Sequence, residues 1–268
     1  LKEYVYGFNS LNDLLRIKEL ITSINNSSSH INPLVIAGAG PTGVELACKL
    51  SDLVNNRVEI CLIEKGNKIL SKSKSFNREK AIDSISERNI KVYLEHYIES
   101  INENIIELST VKTQRNNSVK INHSALLWTA GLRPSRLQLV DHLLDENKKI
   151  KVNQFLQINE YQNIFFVGDI VTCENYSFPS SAQVAMQQGL LTAENIISLR
   201  KGNKLKSFQF EDIGEMLSLG IGNASITGYG FTLAGSLAFK IRYMAYLMRM
   251  PSFSQSLKSA GSRLFSKK

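Results

Sequence analysis

The stretch Leu34-Val-Ile-Ala-Gly-Ala-Gly-Pro-Thr-Gly-Val-Glu-Leu-Ala47 constrains this chain more than any other. Four apolar residues read as a buried strand, a glycine-rich turn follows, and a helix is expected from about Pro41 to Leu53. In Gly38-x-Gly40-x-x-Gly43 the glycines permit a tight turn, let the backbone approach a pyrophosphate, and bring helix and strand close, with the phosphate at the helix N-terminus. Such a turn needs a second strand beside the first. Val58–Ile63, a β-branched apolar run, supplies one of the kind that parallel sheets bury on both faces, completing a βαβ unit. Glu64 closes that strand twenty-one residues after Gly43. An acid there can accept both ribose hydroxyls of an adenosine and repels a 2′-phosphate, which favours NADH over NADPH, although Lys65 beside it works against that preference. A glycine-rich turn that holds no ligand is the competing reading.

The remaining pattern extends an α/β fold. Phe8–Ile24 reads as a helix with Ser10 as N-cap, Asp13 three residues on, and Leu11, Leu14, Leu15 and Leu20 near helical spacing. The polar linker Asn25–Ser29 follows. A helix is expected near Phe76–Arg88. Short extended runs at Lys91–Leu94, Ile105–Leu108 and Lys120–Asn122, separated by turns such as Gln114–Ser118, suggest a β-meander laid against the parallel sheet. Ala125–Thr129 and Ile164–Val167 read as further buried strands that close on glycine, and Ser180–Arg200 as a long helix with Ala182, Val184, Ala185, Leu190, Leu191, Ala193 and Ile196 apolar.

Three further positions carry candidate chemistry. Glu45 lies on the first turn of the glycine-motif helix, where a carboxylate either complements the helix dipole or faces the reacting end of a bound nucleotide. Asp169 follows Gly168 at the end of an apolar strand, the usual place for ligand-contacting residues in open α/β sheets, with a helix cap as the alternative. Gln183 and Gln187 are four apart and share one helical face, so two amides can address a single ring.

The ordered set GxGxxGxE, an acid ending the second strand, "TAGLRP", "FFVGDI" and "PSSAQVAMQQG" resembles the two-dinucleotide-binding-domain flavoprotein reductases, and among them the type II NADH:quinone oxidoreductases. The closing run from Phe208, "FQFEDIGEMLSLGIGNASITGYGFTLAGSLAFKIRYMAYLMRMP", looks like the cyanobacterial and plastid branch. The resemblance implies that Gly38, Gly40, Pro41, Thr42, Gly43 and Glu64 bind NAD(P)H, with Glu45 near the nicotinamide and flavin. It implies that Gly131, Gly168, Asp169 and Ala182 contribute to FAD binding and that Gln183 and Gln187 border the flavin ring and a quinone pocket. Hydride would pass from NAD(P)H to flavin and two electrons onward to a membrane quinone, with no protein residue carrying the hydride. That family carries two glycine-rich fingerprints, an earlier one for FAD and a later one for NAD(P)H. The single fingerprint here matches the later one, so the chain is expected to be the C-terminal part of such a reductase. The implied division is a helix and linker from the FAD domain at 1–30, the NAD(P)H-binding domain at 31–129, the C-terminal part of the FAD-binding domain at 130–204, and a membrane-associating region at 205–268. A catalytically silent NAD(H)-binding remnant and a soluble reductase of the same superfold remain as alternatives.

Charge is uneven along the 268 residues. Of 32 Lys and Arg, seven lie from Ser236 onward with no Asp or Glu among them, and the other 25 face 24 acidic residues. Between Ser236 and Met250, Phe239, Tyr243, Tyr246, Leu247 and Met250 fall on one stripe and Arg242 and Arg249 on another, with Lys240 elsewhere and Pro251 ending the helix. Three cations rule out a spanning segment, and the pattern suits a helix lying in the interface of an anionic membrane. A helix packed on the body or at a homodimer interface is the alternative. Without a basic stripe outside the tail, nucleic acid is a poor partner. The implied placement is peripheral, on the cytoplasmic side of a thylakoid or plasma membrane. No secretory signal is evident, and the start at Leu1 without methionine hints at a fragment or a processed end. Cys48, Cys61 and Cys173 are far apart, which excludes a CxxC redox pair or zinc knuckle and argues against both a metal site and a disulfide reductase.

Overall fold

A computed structural model describes residues 4–111, 118–131, 141–173, 176, 178–250 and 252–265. The expected turn residues before Ser118, the Leu132-Arg-Pro134 part of the "TAGLRP" motif, Pro251, Lys267 and Lys268 lie outside this set. The chain divides into two compact units, Leu1–Gly131 with Gly214–Lys268, and Leu132–Ile213.

In the first unit β1 (Val5–Tyr6) leads to α1 (Leu11–Asn26), which starts where the sequence places its cap. The Ser10 hydroxyl accepts the Asp13 N–H at 3.1 Å while the Asp13 carboxylate accepts the Ser10 N–H at 3.1 Å, a reciprocal capping box. The buried residues of α1 are Ile17 and Ile24, and of the expected leucines Leu20 packs against the core while Leu11, Leu14 and Leu15 are exposed.

Next come β2 (Leu34–Ala37), α2 (Pro41–Leu53), β3 (Ile60–Glu64), α3 (Ser75–Glu87), β4 (Lys91–Leu94), β5 (His96–Ile101), β6 (Ile105–Thr110), β7 (Val119–Asn122) and β8 (Ala125–Trp128). The sheet order β1-β8-β2-β3-β4 is parallel throughout. Strand alternation explains why β2 and β3 read as continuous apolar runs. Leu34, Ile36 and Leu62 face α2 and its Ala47 and Leu50, while Val35, Ala37, Cys61 and Ile63 face Ile106, Leu108 and Ile121 of the antiparallel sheet β5-β6-β7. Helices cover one face and the meander the other, each fully buried Leu or Ile contributing about 2 kcal/mol.

One strand assignment changes. Lys91–Leu94 was expected in the meander, yet it pairs in parallel with β3, and the meander's first strand is His96–Ile101. The switch takes one residue: Glu95 adopts a left-handed φ of +58, which turns the chain out of one sheet and into the other.

In the second unit β9 (Ile150–Val152), β10 (Gln157–Ile158), β11 (Tyr161–Phe165), β12 (Val171–Cys173) and α4 (Ala182–Arg200) form two small sheets and a long helix. β9 pairs in parallel with β12, and β10 with β11 as a hairpin. The apolar run ending at Val167 is therefore a hairpin strand whose Ile164 is exposed, and only beyond it do Phe166 and Val167 pack on the unit's core. The helix is where it was expected, capped by Ser181, but Leu190 and Ile196 are exposed and the buried face is Val184, Gln188 and Asn195.

The first unit resumes with the antiparallel sheet β13 (Glu215–Ser218), β14 (Ala224–Gly228) and β15 (Phe231–Gly235), then α5 (Ser236–Met248) and α6 (Phe253–Phe265). Fully buried Asn77 of α3 ties this sheet down, donating to the Glu215 carboxylate at 2.9 Å and accepting from Thr227 at 3.0 Å. Asp52 of α2 pairs with Arg88 at 2.8 Å and also accepts the Ile221 N–H.

Candidate functional site

The three glycines after β2 sit in three different settings. Gly38 has φ +98, and its N–H donates to the Ile63 carbonyl at 2.8 Å, closing the turn against β3. A Cβ on Gly43 would fall 1.9 Å from the Gly38 carbonyl oxygen, so only glycine lets α2 lie this close to the strand. Gly40 is unlike both: its φ is −74, ordinary for any residue, and a Cβ there would meet nothing within 4 Å. Neither backbone strain nor packing requires a glycine at 40, which leaves its N-cap position and the bare backbone it presents.

Gly40 is also the N-cap of α2, and no side chain caps the helix, whose N1 residue is Pro41. The first-turn N–H groups of Thr42 and Gly43 thus have no intrahelical partner and lie at the positive end of the helix dipole. Glu64 braces the turn from the side: one carboxylate oxygen accepts the Ala39 N–H at 2.9 Å and the other the Gly66 N–H at 2.7 Å. A carboxylate has about four acceptor positions, so two remain for hydroxyl donors. Across the turn, Thr129 donates to the Ala37 carbonyl at 2.8 Å, Gly131 has φ +77, and Trp128 is 44% exposed with its indole N–H on the Ala130 carbonyl at 2.8 Å. That exposed indole, directly before the "TAGLRP" motif, is in register with Ala37 at the carboxyl end of the sheet.

Glu45 projects from α2 toward the C-terminal elements. Its Oε1 accepts the Ser218 N–H at 2.7 Å and an Arg242 N–H at 3.2 Å, and the Arg242 guanidinium lies 4.8 Å from the Tyr246 ring centroid. Burial pushes the Glu45 carboxyl above its usual range, while the Ser218 N–H and Arg242 pull it back. Glu45 therefore has two specific partners in β13 and α5 beyond the dipole of its own helix. Arg242 was expected on a face apart from the aromatic stripe; instead it turns inward with that face. In α5 Ala238 and Leu247 are buried and the Tyr243 hydroxyl donates to Ser259 of α6 at 3.0 Å, whereas Leu237, Ile241, Met244 and Met248 are exposed. Of the expected stripe Phe239, Tyr243, Tyr246, Leu247 and Met250, only Leu247 is buried, Phe239 and Tyr243 are half-buried, and Tyr246 and Met250 are exposed, so the stripe is split between a covered and an open side. The strands β14 and β15 pack against α5, and Ala238 and Leu247 are the residues of the helix that are buried.

In the second unit Gly168, at φ +85, opens the turn between β11 and β12, and its N–H donates to the Gln188 amide oxygen at 2.7 Å. Asp169 is exposed and, with Gly168, Thr172, Phe178, Ser180 and Gln188, lines a cavity of about 170 Å³. Ala182 is the first residue of α4, after Ser181 accepts the Val184 N–H at 3.3 Å. Gln183 and Gln187 do share a helical face, and both amides hold one short backbone segment. Gln187 donates to the Glu211 carbonyl at 2.8 Å and accepts its N–H at 3.0 Å, while Gln183 accepts the Ile213 N–H at 3.1 Å. This is the pairing a neighbouring strand would make, supplied by side chains.

Burial raises the Cys48 and Cys61 thiols to about 11 and about 12, so both are protonated at neutral pH, and the three cysteines are unpaired.

The sequence profile of pyridine nucleotide-disulphide oxidoreductases matches residues 5–189. The chain belongs to that family. Among relatives, demethylphylloquinone reductase NdbB of Synechocystis sp. is 33% identical over 263 residues, covering 96% of this chain and 64% of that protein. The type II NADH:quinone oxidoreductase of Staphylococcus aureus is 29% identical over 221 residues, covering 76% of this chain and 54% of that protein. The chain thus spans between half and two thirds of the length of these oxidoreductases. The structure of NDH2 from Plasmodium falciparum in complex with NADH superposes with a TM-score of 0.81 over 95% of this chain and 71% of that one; at 16% identity this likeness shows the fold. The expected family and the Rossmann-like α/β architecture both hold.

Proposed function

We propose that this oxidoreductase chain is the pyridine-nucleotide-binding and C-terminal part of an FAD-dependent NAD(P)H:quinone reductase. The observation that carries the reading is Gly40: a glycine with open space where its side chain would be, on an uncapped helix N-terminus at the carboxyl end of a parallel sheet. The residues present fit a dinucleotide. Thr42 and Gly43 offer N–H donors to a pyrophosphate, and Glu64 offers its remaining acceptor positions to ribose hydroxyls, which favours NADH. Glu45 would face the nicotinamide, held in place by Ser218 and Arg242. Residues 130–204 would contribute the C-terminal part of an FAD-binding domain, in which Gly168, Asp169 and Ala182 would contact the cofactor and Gln183 and Gln187 would border its ring and the quinone. Bound FAD would supply a two-electron acceptor between pyridine nucleotide and quinone. The protein's task is then to orient the reactants and exclude water.

The same reading places the chain on an anionic membrane surface. Among the described residues no helix is long and apolar enough to cross a membrane. Leu237, Ile241, Met244 and Met248 give α5 an exposed apolar face, and exposed Lys240 and Arg249 belong to the same helix and its C-cap. Such a face seats a helix in the headgroup region, and basic residues add attraction to anionic lipid.

The test is the visible spectrum of the purified chain with added FAD, followed anaerobically by NADH and then by a quinone. Flavin bands that bleach with NADH and return with quinone support the reading. A protein that binds NADH and takes up no flavin would make it a nucleotide-binding part without reductase chemistry of its own.

A further inference from the structure

We propose that Gln188 is a positioning residue for Asp169, acting through the Gly168 peptide. The inference rests on the reading of Asp169 as a flavin contact and concerns what aims it. Gln188 is 1% exposed on the core face of α4, between Val184 and Leu191, which pack in the apolar cluster of the second unit. An aliphatic side chain would suit that environment, so a buried amide needs a specific partner there. The partner is the Gly168 N–H, 2.7 Å from the Gln188 Oε1.

The turn is held at both ends of one residue. Gly168, at φ +85, points its N–H into the helix, and its carbonyl accepts the Val171 N–H at 3.2 Å. With the Gly168 N–H and C=O both committed, the peptide entering Asp169 has one orientation, and the direction of its side chain follows. A Cβ on Gly168 would lie 3.7 Å from the Ala185 Cβ, so α4 rests directly on the turn. Gln188 and Asp169 also line the same cavity. The neighbouring glutamines do different work, holding the backbone at Glu211 and Ile213, which leaves Gln188 as the amide of the "QQ" pair directed at the turn.

The experiment is a double-mutant cycle on the full chain with Gln188→Leu, Asp169→Ala and the double variant, read by FAD titration. Amide exchange at Gly168 is followed in the ligand-free proteins. Gln188→Met serves as a second, shape-matched variant without the amide acceptor, and circular dichroism checks that each variant is folded. Acting through Asp169, Gln188→Leu weakens FAD binding at least tenfold alone and by less than twofold in the Asp169→Ala background, and exchange at Gly168 accelerates at least tenfold. Effects that multiply in the double variant, or unchanged exchange at Gly168, overturn the proposal while leaving the flavin reading intact. A wild-type chain that takes up no FAD overturns the flavin reading and this inference with it.

Discussion

Gly40 and Gly43 differ by three positions and are expected to fail in opposite ways when each becomes alanine. At Gly43 the new Cβ would sit 1.9 Å from the Gly38 carbonyl oxygen and 2.9 Å from the Thr129 hydroxyl. The nearest atom is backbone in a turn already fixed by the hydrogen bond to Ile63, so helix and strand must separate. Forced overpacking of this kind costs about 1–3 kcal/mol and sometimes more, and an overlap well over 1 Å against backbone puts Gly43→Ala at about 3 kcal/mol. At Gly40 there is room, and φ −74 suits alanine. Restricting the unfolded chain gains about 0.4–1 kcal/mol and a poorer N-cap loses a similar amount, so stability changes by less than about 1 kcal/mol. NADH affinity should nevertheless fall at least tenfold, about 1.4 kcal/mol, because the methyl group occupies the approach of the pyrophosphate. Urea unfolding by circular dichroism gives the stabilities and fluorescence titration gives the affinities. A Gly40→Ala protein that binds NADH like the wild type would refute the assignment of the turn, and wild-type stability for Gly43→Ala would refute the packing.

Three other outcomes are expected. Because burial raises the Glu45 carboxyl above its ordinary 4.5, the folded state takes up its proton more readily than the unfolded chain; this contribution is full below 4.5 and is lost as pH rises through the raised value. Urea midpoints between pH 4 and 7 should therefore fall in the wild type relative to Glu45→Gln over the range just above 4.5, and parallel profiles would contradict it. Glu64→Ala should weaken NADH binding by about 1–2 kcal/mol and also lower stability, since the same carboxylate holds the Ala39 and Gly66 N–H groups; loss of affinity alone would mean that the brace is idle. A chain carrying both Leu237→Glu and Met244→Glu should no longer float with anionic liposomes, whereas equal flotation of variant and wild type would remove α5 as the docking face.

The glycine turn was legible in the sequence because its requirements are local. A strand, three glycines, a helix and an acid at the end of the next strand follow from backbone geometry within some thirty residues, and each has its expected place. The Ser10 cap was legible for the same reason. Lys91–Leu94 was misplaced because strand pairing depends on where the chain goes after Glu95, and a single left-handed residue decides it.

What the sequence by itself determined is the α/β class, the position of the glycine turn and the residues that make it, since those rest on periodicity and on steric demands between near neighbours. Tertiary structure alone decided the partners of the polar side chains and the outward face of the last helices. Glu45 meets Ser218 and Arg242 across more than 170 residues of chain, and Gln188 meets Gly168 on another element. An amphipathic pattern can show that a helix has two faces. Which residues are covered depends on what packs beneath them, and in α5, which packs on β14 and β15, Ala238 and Leu247 are buried while Leu237, Ile241, Met244 and Met248 stay outside together with Tyr246 of the expected stripe.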